Sequence, residues 1–408
     1  MNAVNAPSTA EPAKGVRRVV FIANSMYSEI LSGGDIHTLQ MADGAIRAGY
    51  PVHFLTGHAM KAQLESRRYP VSITLTDNGV MAPRKWESLS GQLAMLFDYL
   101  GRLRGTFAHL SEITPDDCAY LNTDFWWDSR PGIFCRAKRK LMILGMDCPT
   151  LSEIIFQSRP DVKSIRLPSI HYWLSQNLAL RLFRRCKNKK LLYVHEAMKP
   201  RLLKMGYRES ELVYISNGID VRQADSVPEQ EKVYDAVWTG RVHKQKGIDD
   251  LLATLVFLAA KIENFRAVII GSAKKTLAPQ VEALGIGDKV HFSGYVSEEE
   301  KFRLLKSSRV FLMPSHYECW GIVIGEALAC GVPVVAYDVW AYRPIFGDFV
   351  RYAPCFDLQA FQDECLAQIQ KLRRGENYLN EMNLEALKTE HSWEEAQRKF
   401  SAAVASLG

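Results

Sequence analysis

The chain has 408 residues, of which 47% are hydrophobic and 24% are charged. This composition excludes a mainly disordered chain, a collagen-like chain and a disulfide-stapled miniprotein. The length corresponds to two or three domains. Eight cysteines occur without any C-x-x-C spacing, so the sequence shows no zinc or redox motif and we expect free thiols in a reducing compartment.

Two features bear on localisation. No apolar run reaches the roughly 18 residues that a membrane-spanning helix needs. Residues 1–15 lack the apolar core of a signal peptide, and we expect them to form a flexible tail. The sequence therefore predicts a cytoplasmic protein, or one that lies peripherally on the inner face of the membrane.

The charge is divided unevenly along the chain. Residues 1–222 carry 30 Lys and Arg against 20 Asp and Glu, whereas residues 223–408 carry 21 against 25. The basic residues crowd into 136–140 (RAKRK) and 181–190 (RLFRRCKNKK). Either a solvated face or a surface for an anionic partner explains these clusters, and lipid head groups, a phosphorylated acceptor and nucleic acid all qualify as partners.

The first half of the chain alternates between strand and helix patterns. Short runs rich in Val, Ile and Leu predict strands, and apolar residues in helical rhythm predict the helices between them. The predicted strands are Arg17–Asn24, Val52–Thr56, Asp117–Thr123, Lys140–Met146, Leu191–His195 and Leu212–Ile215. The predicted helices are Asp35–Ala48, Trp86–Leu103 and Ser169–Arg185.

The second half restarts the same alternation after a polar, proline-containing segment, 221–233, which we interpret as a linker. The predicted strands are Ala236–Thr239, Ala267–Ile270, Val290–Phe292, Val310–Met313 and Val334–Tyr337. The predicted helices are Ile248–Ile262, Glu298–Ser307 and Ile322–Cys330. Two blocks of this kind predict two doubly wound, Rossmann-like α/β domains that face a cleft, with ligands beyond the carboxyl ends of the strands.

One short motif follows the first strand of each block. Ser32-Gly33-Gly34-Asp35 precedes a helix, and its glycines would let the backbone approach a ligand, although an ordinary turn explains them too. Gly240-Arg241 and Lys246-Gly247 place two cations at a strand end before a helix. An arginine fork and a lysine point charge suit a diphosphate at that position.

The segment 314–331 (PSHYECWGIVIGEALACG) is the most informative stretch of the chain. Glu326 lies among apolar residues of a predicted helix, and a carboxylate there needs hydrogen-bond partners such as sugar or ribose hydroxyls. Gly321 and the N–H groups of Ile322 and Val323 could hold a phosphate at the helix start. Glu318 precedes that helix and stands eight residues before Glu326.

Taken together, these motifs resemble the retaining GT-B glycosyltransferases of the family-four type, also called glycosyl transferases group 1. The resemblance is close over residues 213–340 and elsewhere lies mainly in layout. The motifs stand in the expected order: Gly33-Gly34, Ser216-Asn217-Gly218-Ile219-Asp220, Gly240-Arg241, Lys246-Gly247, Gly294-Tyr295-Val296, Glu318 with Glu326, Gly331-Val332-Pro333-Val334-Val335 and Ser392-Trp393-Glu394.

The resemblance implies a role for each matching residue. Arg241 and Lys246 would hold the donor diphosphate, so that no metal or other cofactor is needed. Glu326 would accept ribose hydroxyls, and Glu318 would contact the donor sugar. The remaining donor-binding residues are predicted to be Gly34, Gly240, Tyr295, Val296, His316, Cys319, Trp320, Gly321, Ile322 and Val323. The implied domains are 16–219 for the acceptor and 220–390 for the donor, with a helix at 391–408 crossing back to the first.

The chain departs from the family pattern at one position. Met146 stands after the strand Lys140–Met146, where the family often has a histidine, and methionine cannot donate a hydrogen bond to a sugar hydroxyl. Asp147 follows directly. We expect Asp147 to take part of the catalytic role of that histidine, unless the site works without it or the aspartate is structural.

The leading hypothesis is therefore a metal-independent retaining transferase for surface polysaccharide or lipopolysaccharide synthesis. It would use a UDP- or GDP-linked donor and a lipid-linked glycan acceptor. Alternatives are a small soluble acceptor, a sugar-nucleotide epimerase and a non-catalytic carbohydrate- or nucleotide-binding relative. An anionic membrane surface is a further partner, whereas nucleic acid is not expected.

Overall fold

The computed structural model describes residues 15–26, 31–79, 89–147, 150–156 and 166–408. The predicted tail lies outside these residues except for Gly15. The described chain divides into two compact units, of which the first contains the residues up to Ser216 together with 394–408 and the second contains 217–393. Within the described part, no helix is long and apolar enough to cross a membrane.

The first unit contains a seven-stranded parallel sheet in its described residues. Its strands are β1 (Val19–Ala23), β2 (Val52–Thr56), β3 (Val71–Leu75), β4 (Cys118–Leu121), β5 (Arg139–Leu144), β6 (Asn188–Tyr193) and β7 (Leu212–Tyr214), in the spatial order β3-β2-β1-β4-β5-β6-β7. The helices are α1 (Gly33–Arg47), α2 (His58–Ser66), α3 (Leu89–Ala108), α4 (Trp126–Phe134), α5 (Leu151–Phe156), α6 (Arg166–Phe183) and α7 (Lys199–Lys204).

The central strands of this sheet are buried on both faces, as expected for a doubly wound fold. All five residues of β1 and of β2 are buried, and their register pairs Val19 with Val52. The helix α1 begins with a capping box, because the Ser32 hydroxyl accepts from the Asp35 N–H while the Asp35 carboxylate accepts from the Ser32 N–H at 2.8 Å. The predicted start at Asp35 is therefore two residues late, since Gly33 and Gly34 form the first turn.

The second unit contains a six-stranded parallel sheet, again counted over described residues. Its strands are β8 (Tyr234–Thr239), β9 (Ala267–Ile270), β10 (Val290–Gly294), β11 (Ser308–Met313), β12 (Val334–Tyr337) and β13 (Val350–Ala353), in the order β10-β9-β8-β11-β12-β13. The helices are α8 (Val221–Ser226), α9 (Ile248–Lys261), α10 (Lys274–Ala283), α11 (Glu298–Lys306), α12 (Ile322–Ala329), α13 (Arg343–Phe346), α14 (Leu358–Arg373) and α15 (Leu384–Glu390).

The final helix, α16 (Trp393–Ala405), begins at the boundary between the units. Its residues from Glu394 onward belong to the first unit. Gln397 donates to the Asp43 carboxylate at 3.1 Å, and the fully buried ring of Phe400 lies 5.1 Å from that of Tyr120. The C-terminal segment therefore completes the core of the first unit.

The doubly wound α/β class predicted from the sequence is confirmed by these two parallel sheets. The linker prediction is wrong for Val221–Val227, because this stretch forms α8 and its following residue. Asp220 caps the helix by accepting from the Gln223 N–H at 3.0 Å, and Ala224 and Val227 are buried in the second core. Apolar residues occur at every third position of this helix, but the polar residues between them obscure the helical periodicity in the sequence.

Candidate active site

The strand order of the second unit places several loops at one edge of its sheet. The chain reverses its winding between β8 and β11, which are neighbours but far apart in sequence. Ligands of doubly wound sheets bind beyond the carboxyl ends of the strands at such a switch point. The loops that leave this point are 240–247, after β8, and 314–321, after β11.

The first loop presents Arg241 to solvent. Its side chain is exposed, and it forms no hydrogen bond or ion pair with any residue that the structure describes. Gly240, just before it, lies against Trp238, and a Cβ there would approach the indole ring to 2.9 Å. His243, between the two cations, accepts from the Gln245 N–H at 3.3 Å and so begins the short 3-10 turn Lys244–Lys246. Arg241 is thus available to an anion.

Lys246 and Glu318 form an ion pair between the two loops. Both side chains are largely shielded from solvent, with 17% and 14% of their surfaces exposed. The sequence predicted a separate role for each residue and did not predict their contact. An anion that binds Lys246 would have to compete with the Glu318 carboxylate or share the ammonium group with it.

Further hydrogen bonds join the same loops. The Gln245 carbonyl accepts from the His316 N–H at 2.9 Å, and the Gln245 amide donates to the Tyr317 carbonyl at 3.0 Å. The His316 ring contacts the Asp250 carboxylate through Nε2 at 2.8 Å, and the Tyr337 hydroxyl donates to that carboxylate at 2.9 Å. Burial tends to raise the pKa of Asp250, but these two hydrogen bonds lower it below its usual value. Asp250 therefore fixes the orientation of His316.

Gly247 allows this close approach of the two loops. It has φ +62°, and a Cβ there would overlap the carbonyl oxygen of Pro314. We expect Gly247→Ala to lower the free energy of unfolding by roughly 2–4 kcal/mol, from left-handed strain plus the overlap. Gly285→Ala is the matched control, because Gly285 has φ +71° with nothing within 4 Å of the added Cβ. Urea denaturation giving equal losses for both variants would contradict this account.

The helix α12 begins at the end of the second loop. Gly321, with φ +85°, is its N-cap and provides no side-chain acceptor for the first-turn N–H groups. Ile322 and Val323, half-buried, form that first turn, and no acidic residue occurs in it. The partial positive charge of the helix N-terminus therefore faces the loop without a carboxylate of the helix itself to offset it.

Trp320, the neighbour of Gly321 that is predicted to help bind the donor through its backbone, has a buried side chain. The Trp320 side chain is 2% exposed and packs on Phe346 and His391, with ring centroids 5.1 and 5.5 Å away. Its indole therefore belongs to the core, and only its backbone is left for a donor. The Cys319 thiol lies 3.6 Å from the Tyr317 hydroxyl, in the loop itself.

Glu326 has a partner that the sequence did not reveal. Its Oε1 accepts from the Lys301 ammonium at 2.8 Å, and Lys301 also pairs with Glu298 at 2.6 Å. Burial raises the pKa of Glu326, and the Lys301 charge limits that rise. Burial tends to lower the pKa of the Lys301 ammonium, but the two carboxylates raise it above its usual value. This ion pair compensates for placing a carboxylate with 7% exposure beside an apolar core.

The remaining predicted residues of the second unit lie beyond β10. Tyr295 is 69% exposed, and Val296 packs partly on the core. Gly294, at the end of the strand, accepts from the Gly271 N–H at 3.0 Å, which ties the ends of β9 and β10 together. Tyr295 therefore presents its ring to solvent at the same sheet edge as the two cation-bearing loops.

In the first unit, Gly34 lies exposed in the first turn of α1. A Cβ there would meet only the Ser32 hydroxyl, at 3.8 Å. Packing within the described residues therefore does not require glycine at this position. A requirement for glycine, if there is one, would have to come from a bound molecule.

Asp147 is held by a network at the carboxyl edge of the first sheet. Arg201 donates to Asp147 at 3.3 Å and to the Gln176 side-chain oxygen at 2.9 Å. The Gln176 amide donates to the Met146 carbonyl at 2.9 Å and to Asp124 at 3.0 Å. Asp124, Gln176 and Arg201 were not predicted from the sequence. Only Asp124, a polar residue just after a buried strand, left a signal in the sequence.

Asp124 gives this network a pH dependence. Burial raises its pKa to about 6 from 3.8, although hydrogen bonds from Gln176 and Tyr172 oppose the rise. The folded state therefore holds this proton more tightly than the unfolded chain, and that stabilisation, complete below about pH 4, is lost as the pH rises through 6.

We expect the unfolding free energy of the wild type, measured relative to Asp124→Asn, to fall by about 2 kcal/mol between pH 4 and pH 7. Denaturant titrations at several pH values measure this difference. Asp116→Asn, at an exposed position of the same unit, is the control and should show no such trend. A pH-independent difference for Asp124→Asn would contradict the buried, protonated carboxyl.

Comparison with known proteins gives these loops a context. Residues 222–386 match the family model described as glycosyl transferases group 1. This segment, named here the group 1 segment, is therefore similar to the group 1 glycosyltransferases. All predicted site residues except Gly34 and Asp147 lie within the group 1 segment. Among described residues, no group of three or more His, Cys, Asp or Glu side chains is arranged to hold a metal ion.

Curated relatives match parts of the chain. The chain is 28% identical over 178 residues to a phosphatidyl-myo-inositol mannosyltransferase of Mycobacterium leprae, covering 42% of this chain and 47% of the relative. It is 35% identical over 121 residues to a D-inositol 3-phosphate glycosyltransferase of Xylanimonas cellulosilytica, covering 28% of each. The matches thus span less than half the length of these relatives.

Solved structures extend the likeness to the fold of nearly the whole chain. HepE of Anabaena, solved in complex with UDP-glucose, is similar with a TM-score of 0.66 and 17% identity, over 95% of this chain and 99% of that one. At this identity the likeness shows the fold alone. The predicted GT-B fold class is confirmed.

Proposed function

We propose that the protein is a retaining glycosyltransferase that moves a sugar from a UDP- or GDP-linked donor to a lipid-linked glycan acceptor in surface polysaccharide or lipopolysaccharide synthesis. One observation carries the proposal. The switch point of the second sheet brings together Arg241, the Lys246–Glu318 pair and the uncapped start of α12. The match of this segment to the group 1 family model supports a nucleotide-sugar donor.

The donor would bind in a defined order of contacts. Arg241 and Lys246, with the first-turn N–H groups of α12, would receive the diphosphate. The ribose hydroxyls would donate to Glu326, which also accepts from Lys301. Glu318 would then be shared between Lys246 and hydroxyls of the sugar, and His316, oriented by Asp250, would border that sugar through its Nδ1 edge.

The proposed step keeps the anomeric configuration. The acceptor hydroxyl attacks C1 from the face on which the diphosphate leaves, the bond from C1 to the phosphate oxygen breaks, and the acceptor proton passes to that departing oxygen. Negative charge grows on the diphosphate as the bond breaks. Arg241 and Lys246 would stabilise this charge without a divalent metal.

The acceptor is proposed to bind at the carboxyl edge of the first sheet. Gly34, at the open start of α1, and Asp147, held by Arg201, are its proposed contacts. The name of the Mycobacterium leprae relative supports a lipid-linked acceptor. The name of the Xylanimonas cellulosilytica relative supports the second candidate, a small soluble acceptor.

Proton NMR of turnover in EDTA tests this function. The protein is incubated with UDP-glucose, UDP-N-acetylglucosamine or GDP-mannose, and with either lipid-linked sugars or inositol phosphate. We expect one α-linked donor to give an α-linked product with a lipid-linked acceptor. A β-linked product would contradict retention, transfer only to inositol phosphate would favour the second candidate, and no turnover of any donor would contradict the proposal.

A further inference from the structure

The two basic segments of the sequence meet at one edge of the first sheet. The strands β5 and β6 are parallel neighbours, with Arg139 opposite Asn188. The residues that precede these strands therefore lie side by side at the amino edge of the sheet. The last turn of α6 and the end of α7 reach the same edge, because both helices run antiparallel to the strands they precede.

Part of this positive charge is structural. The Lys140 ammonium is buried and donates to the carbonyls of Gly132 and Cys135 at the end of α4, at 2.8 and 2.9 Å. Lys189 is buried in an ion pair with Glu211 at 2.8 Å. These side chains hold the fold together and are not available to a partner.

Arg139 and Lys190 are half-buried and donate to the carbonyls of Leu407 and Ser210, whereas seven further basic residues point to solvent. Each of them has an exposed side chain, and none forms an ion pair with an acidic residue in the part of the chain that the structure describes. They are Arg136, Lys138, Arg181, Arg184, Arg185, Lys187 and Lys204. Seven uncompensated cations on one edge of a domain create a strong positive potential.

An apolar groove runs between these cations. It has a volume of about 720 Å³, and Ile133, Phe134, Ala137 and Leu182 line it together with basic residues. Phe134 is 62% exposed. A second pocket of about 300 Å³ is lined by Arg181, Arg184, Arg185 and Lys204 among others. Arg185 lines both, and all seven cations except Arg136 line one or the other, so the groove, the pocket and these six cations form one surface, the basic face.

The basic face lies at the amino edge of the sheet, opposite the edge at which a substrate pocket is expected. Asp124 and Asp147 follow β4 and β5 at the carboxyl edge, whereas the basic face lies where β5 and β6 begin. Ligands of doubly wound folds bind at the carboxyl edge. The basic face is therefore a docking surface and not the place where the acceptor reacts.

We propose that the basic face docks the protein on an anionic lipid bilayer, with Phe134 inserted between the head groups. Cations around an exposed aromatic side chain match the layered chemistry of such a surface, where charged head groups overlie hydrocarbon. Nucleic acid would satisfy the charge but would leave the apolar groove floor unused. This docking deepens the proposed function, because a lipid-linked acceptor would be presented at the same bilayer.

Flotation with vesicles of phosphatidylcholine and phosphatidylglycerol tests the charge. Each cation near such a surface contributes about 1 kcal/mol, so Arg181→Glu with Arg185→Glu should lower binding by about 30-fold or more. Lys261→Glu with Arg266→Glu is the matched control, with the same charge change at exposed positions of the second unit. Equal losses in both variants, or no binding by the wild type at 0.1 M salt, would overturn the proposal.

A second pair of variants tests the inserted aromatic side chain. Phe134→Ser should weaken vesicle binding several-fold at 0.5 M salt, where screening removes most of the charge term, whereas Phe97→Ser, 68% exposed on α3, should not. A loss only with Phe97→Ser would move the docking face to α3 and overturn the proposal, as would binding of RNA with none to vesicles. Calorimetric binding of nucleotide sugar in solution should be unchanged in all four variants, which separates a failed docking face from a failed transferase.

Discussion

Lys246→Ala is expected to lower kcat/KM for sugar transfer by on the order of 10³ while the protein stays folded. A preorganised donor that stabilises charge in the transition state is worth about 10²–10³ in rate, and Lys246 is one of two cations proposed to do so. The variant also leaves Glu318 without its ion-pair partner, and the freed carboxylate would repel the diphosphate. The rate is measured with saturating acceptor, and folding is followed by thermal denaturation.

Lys244→Ala is the matched control for this experiment. Lys244 lies in the same 3-10 turn, is exposed, and contacts no acidic residue among those described. Its removal should leave kcat/KM within about threefold. Near-normal transfer by Lys246→Ala, or equal losses in the two variants, would remove Lys246 from the diphosphate site.

Glu326→Ala is expected to weaken nucleotide binding by about 10- to 100-fold. Hydrogen bonds to a charged group contribute about 1.5–3 kcal/mol, and the variant would lose those proposed to the ribose hydroxyls. Lys301 keeps Glu298 as a partner, so the fold should survive. Isothermal titration with the nucleoside diphosphate alone measures the change without involving the sugar site.

Glu298→Ala tests whether the effect belongs to the Glu326 carboxylate or to its lysine. Glu298 contacts the same ammonium group but is 64% exposed at the start of α11. Its removal should change nucleotide affinity by less than about threefold. An unchanged affinity in Glu326→Ala would contradict the ribose role, and equal losses in both variants would assign the effect to Lys301.

The fold could be predicted because its central strands are recognisable in the sequence as short apolar runs. Runs such as VVFIA and AVII are apolar throughout, since parallel central strands are buried on both faces. The edge strands β3 and β13 were missed because their sequences, VSITL and VRYA, mix polar and apolar residues on half-buried faces. The helix α8 was missed because six residues give too short a pattern.

The site could be predicted only where its residues share a motif. Glu318 and Glu326 are eight residues apart, and Arg241 and Lys246 are five apart, so each pair is recognisable as a local motif in the sequence. Lys301 reaches Glu326 from another helix, and Arg201 reaches Asp147 from 54 residues away. Such contacts depend on how strands are ordered in the sheet, which local sequence does not encode. The burial of Trp320 likewise depends on Phe346 and His391, from other elements.

The central claim is that the second unit holds a nucleotide sugar through its own cations. Isothermal titration of the full chain with UDP-, GDP-, ADP- and CMP-sugars, first without added metal and then in EDTA, tests it most directly. We expect that a UDP- or GDP-sugar binds, that EDTA leaves its affinity unchanged, and that Lys246→Ala weakens it. Binding of none of the four, or binding that EDTA abolishes, would contradict the claim.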